Sequence, residues 1–213
     1  NLFCGHLSHR CCDELSIMTA TLKPRRKSRL VCGVGINDAD CPVAWTVAGV
    51  KTVCPIYKIW KSLLRRLYDE KWLTLNPTYL ECSICEEWLS FSNFRSWVLT
   101  QEYSGLVLDK DLLVKGNKHY SPSTCIFVPV IVNAFMTEVQ STNSGLPIGV
   151  FKNRNLYRAQ CSNPFGGRIK SIGFLTSEEA AKEYRRMKLE FAIELAKSQS
   201  NPVIRDALIE RYS

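Results

Sequence analysis

The sequence has no hydrophobic run approaching the roughly 20 apolar residues a membrane-spanning helix needs, so no segment reads as one. It also lacks a basic start followed by a continuous apolar stretch. Residues 1–17, NLFCGHLSHRCCDELSI, therefore do not read as a secretory leader. The expectation is that the functional chain begins at Met18, with the preceding residues an upstream extension; mass spectrometry of the native protein checks this. There is no internal repeat. Histidine is scarce: the chain has 3, and only His119 lies beyond residue nine. Acidic residues are outnumbered, 20 against 28 Lys and Arg, for a net charge of +8. They are absent from Met18 to Leu30 and again from Leu146 to Leu175.

A basic balance suits a polyanionic partner, most often nucleic acid, although a soluble basic enzyme is an equal alternative on charge alone. Distribution says more. Lys23, Arg25, Arg26, Lys27 and Arg29 form an acid-free arm that can neutralise phosphates, so residues 1–31 read as a disordered basic arm. The 10 cysteines stand at 4, 11, 12, 32, 41, 54, 82, 85, 125 and 161. With no export signal and an apolar content of 46%, the expectation is reduced cytosolic thiols, mostly buried as small apolar residues.

Along the chain, VCGVGINDADCPVAWTVAGVKTVCP reads as loop and then short strands. Pro55 opens a helix whose stripe is Ile56, Ile59, Trp60, Leu63, Leu64 and Leu67. A second helix carries Trp88, Phe91, Phe94, Trp97 and Val98 as core. STNSG, 141–145, is a polar joint between a domain at 32–140 and one at 146–213. Beyond it come alternating strands and a helix with Thr176 and Glu179 as a capping box. A terminal helix over about Pro202–Arg211 closes the sequence.

The stretch LDKDLLVKGNKHYSPSTCIFVPVIVNAF, 108–135, holds the densest chemistry. Phosphodiester hydrolysis needs a metal, a base and a leaving-group stabiliser. Val107-Leu108 should end one strand, Gly116-Asn117 turn the loop, Cys125 to Val128 form a second strand, and Pro129 open a helix. Asp109 and Asp111 offer hard oxygens suited to Mg²⁺ or Mn²⁺, and would share one face if the strand continued through both. Asn133, one turn into the helix, can complete the site.

The order LDKD, GNK, YSP, a Cys, an aromatic and a helical Asn resembles HNH-type (ββα-metal) endonucleases encoded by phages. GVGINDADCPV, CPIYKIWKSLLRRLY and NPTYLECSICEEWLSFSNF resemble successive blocks of homing-type enzymes of tailed phages. The resemblance implies an α+β fold with a ββα-metal finger and flanking helices, acting on DNA in the cytoplasm of a bacterial host. It implies Asp109 as metal-binding Asp and Asn133 as helix ligand. Lys110 stands where the family has its catalytic His, so the base is left open between His119 and Asp111, with Lys110 holding phosphate.

Cys82 and Cys85 have half-zinc-site spacing, and Cys54 and Cys125 are the candidates to complete it. No second CxxC is present, and a buried-thiol role is the preferred expectation. The segment from IGV through YRAQ to IGFLTSEEAA resembles the DNA-binding domain of plant ethylene-response (Apetala-type) regulators. That implies a three-stranded antiparallel sheet packed on one helix, with the exposed face in the major groove of double-stranded DNA. Lys152 and Arg154 on one face, Arg168 and Lys170 on another, and Arg158 are the expected contacts. A rival expectation is a non-catalytic DNA-binding protein that keeps a degenerate finger.

Overall fold

The computed structural model describes residues 30–137 and 145–213. The Met18 start, the basic residues 23–29 and positions 141–144 of the polar joint lie outside the described residues. The chain mixes helices with small sheets and divides into two compact units. One unit runs up to Lys110 and includes Asn117–Cys125; the other comprises Asp111–Gly116 and Ile126–Ser213. The division therefore runs through the stretch 108–135, and residues 126–136 group with the C-terminal sheet and helices.

In the first unit an antiparallel hairpin, β1 (Ala44–Val47) and β2 (Val50–Val53), precedes α1 (Pro55–Tyr68). Proline at the first turn presets φ and lacks the N–H that would have no intrahelical partner there. Ile56, Trp60, Leu63, Leu64 and Leu67 are buried, at the predicted spacing. The helix stops at Asp69, whose extended backbone breaks the ladder while its carboxylate caps α2 (Glu70–Leu75) by accepting from Trp72 N. Trp60 is fully buried and donates from Nε1 to Trp88 O at 2.7 Å. Its ring lies 5.4 Å from that of Phe91. Gly35 is required beside it: a Cβ there would sit 2.3 Å from Leu64 Cδ1.

The second predicted helix is divided. Glu86–Leu89 form a 3₁₀ turn containing Trp88, and α3 (Phe91–Val98) begins anew behind Ser90, whose hydroxyl caps Asn93 N. Asp38 fixes this start by accepting from Ser92 N at 2.8 Å, from Ser92 Oγ and from Ser90 Oγ. Burial alone would raise the Asp38 pKa, but these hydrogen bonds outweigh it and hold the carboxyl below its ordinary value. β3 (Ser83–Ile84) pairs in parallel with β5 (His119–Tyr120). β4 (Val107–Asp109) lies between them in sequence.

The second unit contains β6 (Ile126–Val128), α4 (Val130–Met136) and a three-stranded antiparallel sheet. That sheet has the order β7 (Val150–Asn153), β8 (Leu156–Ser162), β9 (Arg168–Lys170). α5 (Ser177–Lys197) packs Ala180 and Ala181 against Val150, Tyr157 and Phe174. The Thr176/Glu179 capping box is formed. Gly149 adopts φ +76°, and a Cβ there would lie 2.1 Å from the Tyr184 ring, so only glycine lets α5 approach the start of β7. α6 (Pro202–Tyr212) ends the chain.

Candidate functional site

Asp109 closes β4 and is only 9% exposed. A buried carboxylate needs hydrogen bonds or a cation to offset its desolvation. The strand ends at Asp109, which removes the premise that Asp109 and Asp111 alternate onto one strand face. Lys110 is built into the loop: its Nζ donates to Asn117 O at 2.9 Å and lies 6.0 Å from the Tyr120 ring centre. Asn117 returns two bonds from Nδ2, to Lys110 O at 2.6 Å and His119 O at 2.7 Å. The amide side chain thus closes the Gly116-Asn117 turn from within.

His119, expected in a loop, sits in strand β5. A two-residue strand carries no periodicity of its own, and its pairing with Ser83–Ile84 is remote in sequence. The strand orients the ring: Nδ1 shares a 2.8 Å hydrogen bond with Ser83 Oγ, and the residue is exposed. Where Nδ1–H is the donor in that bond, Nε2 is the nitrogen with a free lone pair.

In the second unit, Asp111 is half-buried and ion-paired to Arg211 at 3.4 Å. Asn133 is half-buried on α4, one turn beyond the N-cap Pro129.

Mg²⁺ is typically held by one or two carboxylates plus substrate phosphates and waters, and a single enclosed carboxylate such as Asp109 suits that chemistry. Among the described residues no three His, Cys, Asp or Glu side chains gather closely enough to hold one ion. Cys54 and Cys125 are buried; Cys82 and Cys85 are half-buried. Burial raises the Cys85 pKa. Burial, with the Asp109 charge adding to it, pushes Cys125 up to about 12. Of the seven described cysteines three are buried, fewer than expected.

The sheet is where register changes the assignment. Directly opposed residues on antiparallel strands point to the same side. Val150 opposes Ala159 and Lys152 opposes Tyr157, so these four share the side covered by α5. Lys152 Nζ accordingly lies 5.6 Å from the Tyr157 ring centre. Phe151 opposes Arg158, Gln160 opposes Lys170, and Ser162 opposes Arg168. The outer face therefore presents Arg158, Arg168 and Lys170 together, flanked by Gln160 and Phe151. Lys152 belongs to the other side. Arg154, expected to alternate with it, falls in the β7–β8 turn at φ +56°. A turn ends alternation, which is why counting by twos failed there.

Arg158 is half-buried, and its Nε is enclosed with no hydrogen-bond partner among the described residues. Sequence reasoning missed Gln160 and Phe151; only the β8–β9 and β7–β8 registers reveal them as neighbours of the three cations. No helix among the described residues is long and apolar enough to cross a membrane. Comparisons with protein-family models, with curated proteins and with solved structures return no match.

Proposed function

We propose that the chain is a divalent-metal-dependent DNA endonuclease of the HNH-like, ββα-metal type, and that it docks duplex DNA on the outer face of the β7–β8–β9 sheet. The observation that carries the docking is the co-facial set Arg158, Arg168 and Lys170, in a segment without acidic residues. Guanidinium groups suit guanine edges and phosphates, an ammonium suits phosphates, and the Gln160 amide suits adenine. An exposed sheet face suits the open major groove of B-form DNA rather than the deep, narrow one of A-form RNA.

The catalytic half rests on the LDKD…GNK…N resemblance. Asp109 would hold Mg²⁺ or Mn²⁺; Asn133, the helix ligand that the resemblance implies, lies in the second unit. The bound ion would carry charge on the scissile phosphate. His119, aligned by Ser83, supplies Nε2 to take a proton from water. Lys110 braces the loop through Asn117. On this reading His119 is the base, and Asp111, ion-paired to Arg211, has a structural role. The class of enzyme proposed is the homing-type nuclease of tailed phages.

The second reading is a DNA-binding protein that has lost catalysis. It is favoured by one observation: Lys110, standing where the family has histidine, is engaged in the loop at Asn117 O. Plasmid cleavage with Mg²⁺ or Mn²⁺ separates the two. Loss of cleavage in His119→Ala with duplex binding intact supports the proposed base. Duplex binding with no cleavage by the wild type supports the second reading.

A further inference from the structure

Arg211, in the last turn of α6, ties down the loop after Asp109. Its Nη1 donates to Asp111 O at 2.8 Å, and its Nη2 lies 3.4 Å from Asp111 Oδ1. The bond is reciprocated: Lys115 Nζ donates to Arg211 O at 3.3 Å. That carbonyl is one of the last four of α6, which have no partner inside the helix. Two residues of one six-residue loop, Asp111–Gly116, thus meet a single arginine, through its side chain and its backbone. The Arg211 side chain is 14% exposed and the Asp111 side chain 28%. The pair is therefore screened less than a surface ion pair.

The same C-terminal helices hold α4. Lys188, buried on α5, donates from Nζ to Phe135 O at 2.7 Å, one of the carbonyls at the end of α4. The Tyr212 ring lies 5.3 Å from that of Phe135. The loop carrying Asp111 and the helix carrying Asn133 are both anchored by residues from far along the chain.

We propose that Arg211 is a positioning residue for the finger: it fixes the loop whose preceding residues, Asp109 and Lys110, stand in the candidate site. This rests on the nuclease reading of that site. A planar guanidinium reaches the Asp111 carbonyl and carboxylate at once, which an ammonium cannot reproduce.

The test uses the full chain carrying Arg211→Ala, Arg211→Lys or, as a milder cut of the same tether, Lys115→Ala. Four quantities are read: amide hydrogen exchange of residues 111–116, Mn²⁺ dependence of plasmid nicking, duplex binding in Ca²⁺, and thermal unfolding. Arg211→Ala should raise the half-saturating Mn²⁺ and speed exchange of 111–116 selectively. Arg211→Lys should recover part of both, Lys115→Ala should shift both less, and duplex binding should stay within about twofold. Unchanged loop exchange and unchanged Mn²⁺ dependence in Arg211→Ala would overturn the positioning role. Exchange that rises equally across α5 and α6 would overturn it too, by making Arg211 a general stabiliser. A wild type that binds duplex but never cleaves would overturn the nuclease reading and this role together. Normal cleavage by Arg211→Ala would overturn the role alone.

Discussion

Replacing Arg168 and Lys152 separately by alanine tests the register argument, because one sits on the outer sheet face and the other on the side facing α5. Affinity for duplex DNA falls with salt as counterions are released, with a slope of about 0.9 per neutralised phosphate. If Arg158, Arg168 and Lys170 each neutralise one phosphate, raising salt from about 50 to 200 mM should weaken the sheet's contribution about 40-fold. Removing Arg168 should leave a loss of only about 12-fold over that range, with weaker binding at low salt. Lys152→Ala should leave the slope unchanged, since its ammonium lies over the Tyr157 ring. Fluorescence anisotropy with a labelled duplex at four salt concentrations measures this. Equal slope changes for Lys152→Ala and Arg168→Ala would refute the face assignment. An unchanged slope in Arg158→Ala, Arg168→Ala and Lys170→Ala alike would refute docking on this sheet.

Other consequences concern the fold that carries the site. Gly149→Ala forces a left-handed backbone on a residue with a Cβ and drives that Cβ into Tyr184, so a loss of about 2 kcal/mol or more is expected in urea unfolding. Thr176→Ala removes the hydroxyl of the α5 capping box and should cost about 1 kcal/mol by the same assay. Trp60→Phe leaves Trp88 O without its indole donor in the core, for a loss of about 1–3 kcal/mol plus a cavity cost. Asp38 has a depressed carboxyl pKa when folded. Its contribution is present above the ordinary aspartate value of about 4 and is lost as pH falls below it. Asp38→Asn should therefore flatten acid unfolding between about pH 4 and 2; an unchanged acid limb would count against the Asp38–Ser92 bonds.

Elements with a strong local signal were legible in the sequence. The α1 stripe and the Thr176/Glu179 box arise from spacings within a few residues, and the three-strand-then-helix order of the C-terminal segment is what the Apetala-type resemblance implied. Where the sequence misled, a remote or turn interaction decides. Trp88 leaves the helical pattern because Ser90 caps a new helix behind it. His119 becomes a strand residue through pairing with residues 36 positions away. Arg154 turns out of alternation because the chain reverses there. The Asp111–Arg211 tether spans 100 positions, and nothing in the local pattern of either residue announces it. Candidate site residues were chosen by chemistry and resemblance; their orientation came only from the registers and hydrogen bonds.

The most direct test of the central claim is nicking of supercoiled plasmid by purified protein in Mg²⁺ or Mn²⁺, beside Asp109→Ala. The account predicts metal-dependent conversion to open-circular or linear DNA by the wild type, with that activity abolished in Asp109→Ala while duplex binding persists. Cleavage that survives Asp109→Ala, or duplex binding by a wild type that never cleaves, would contradict it.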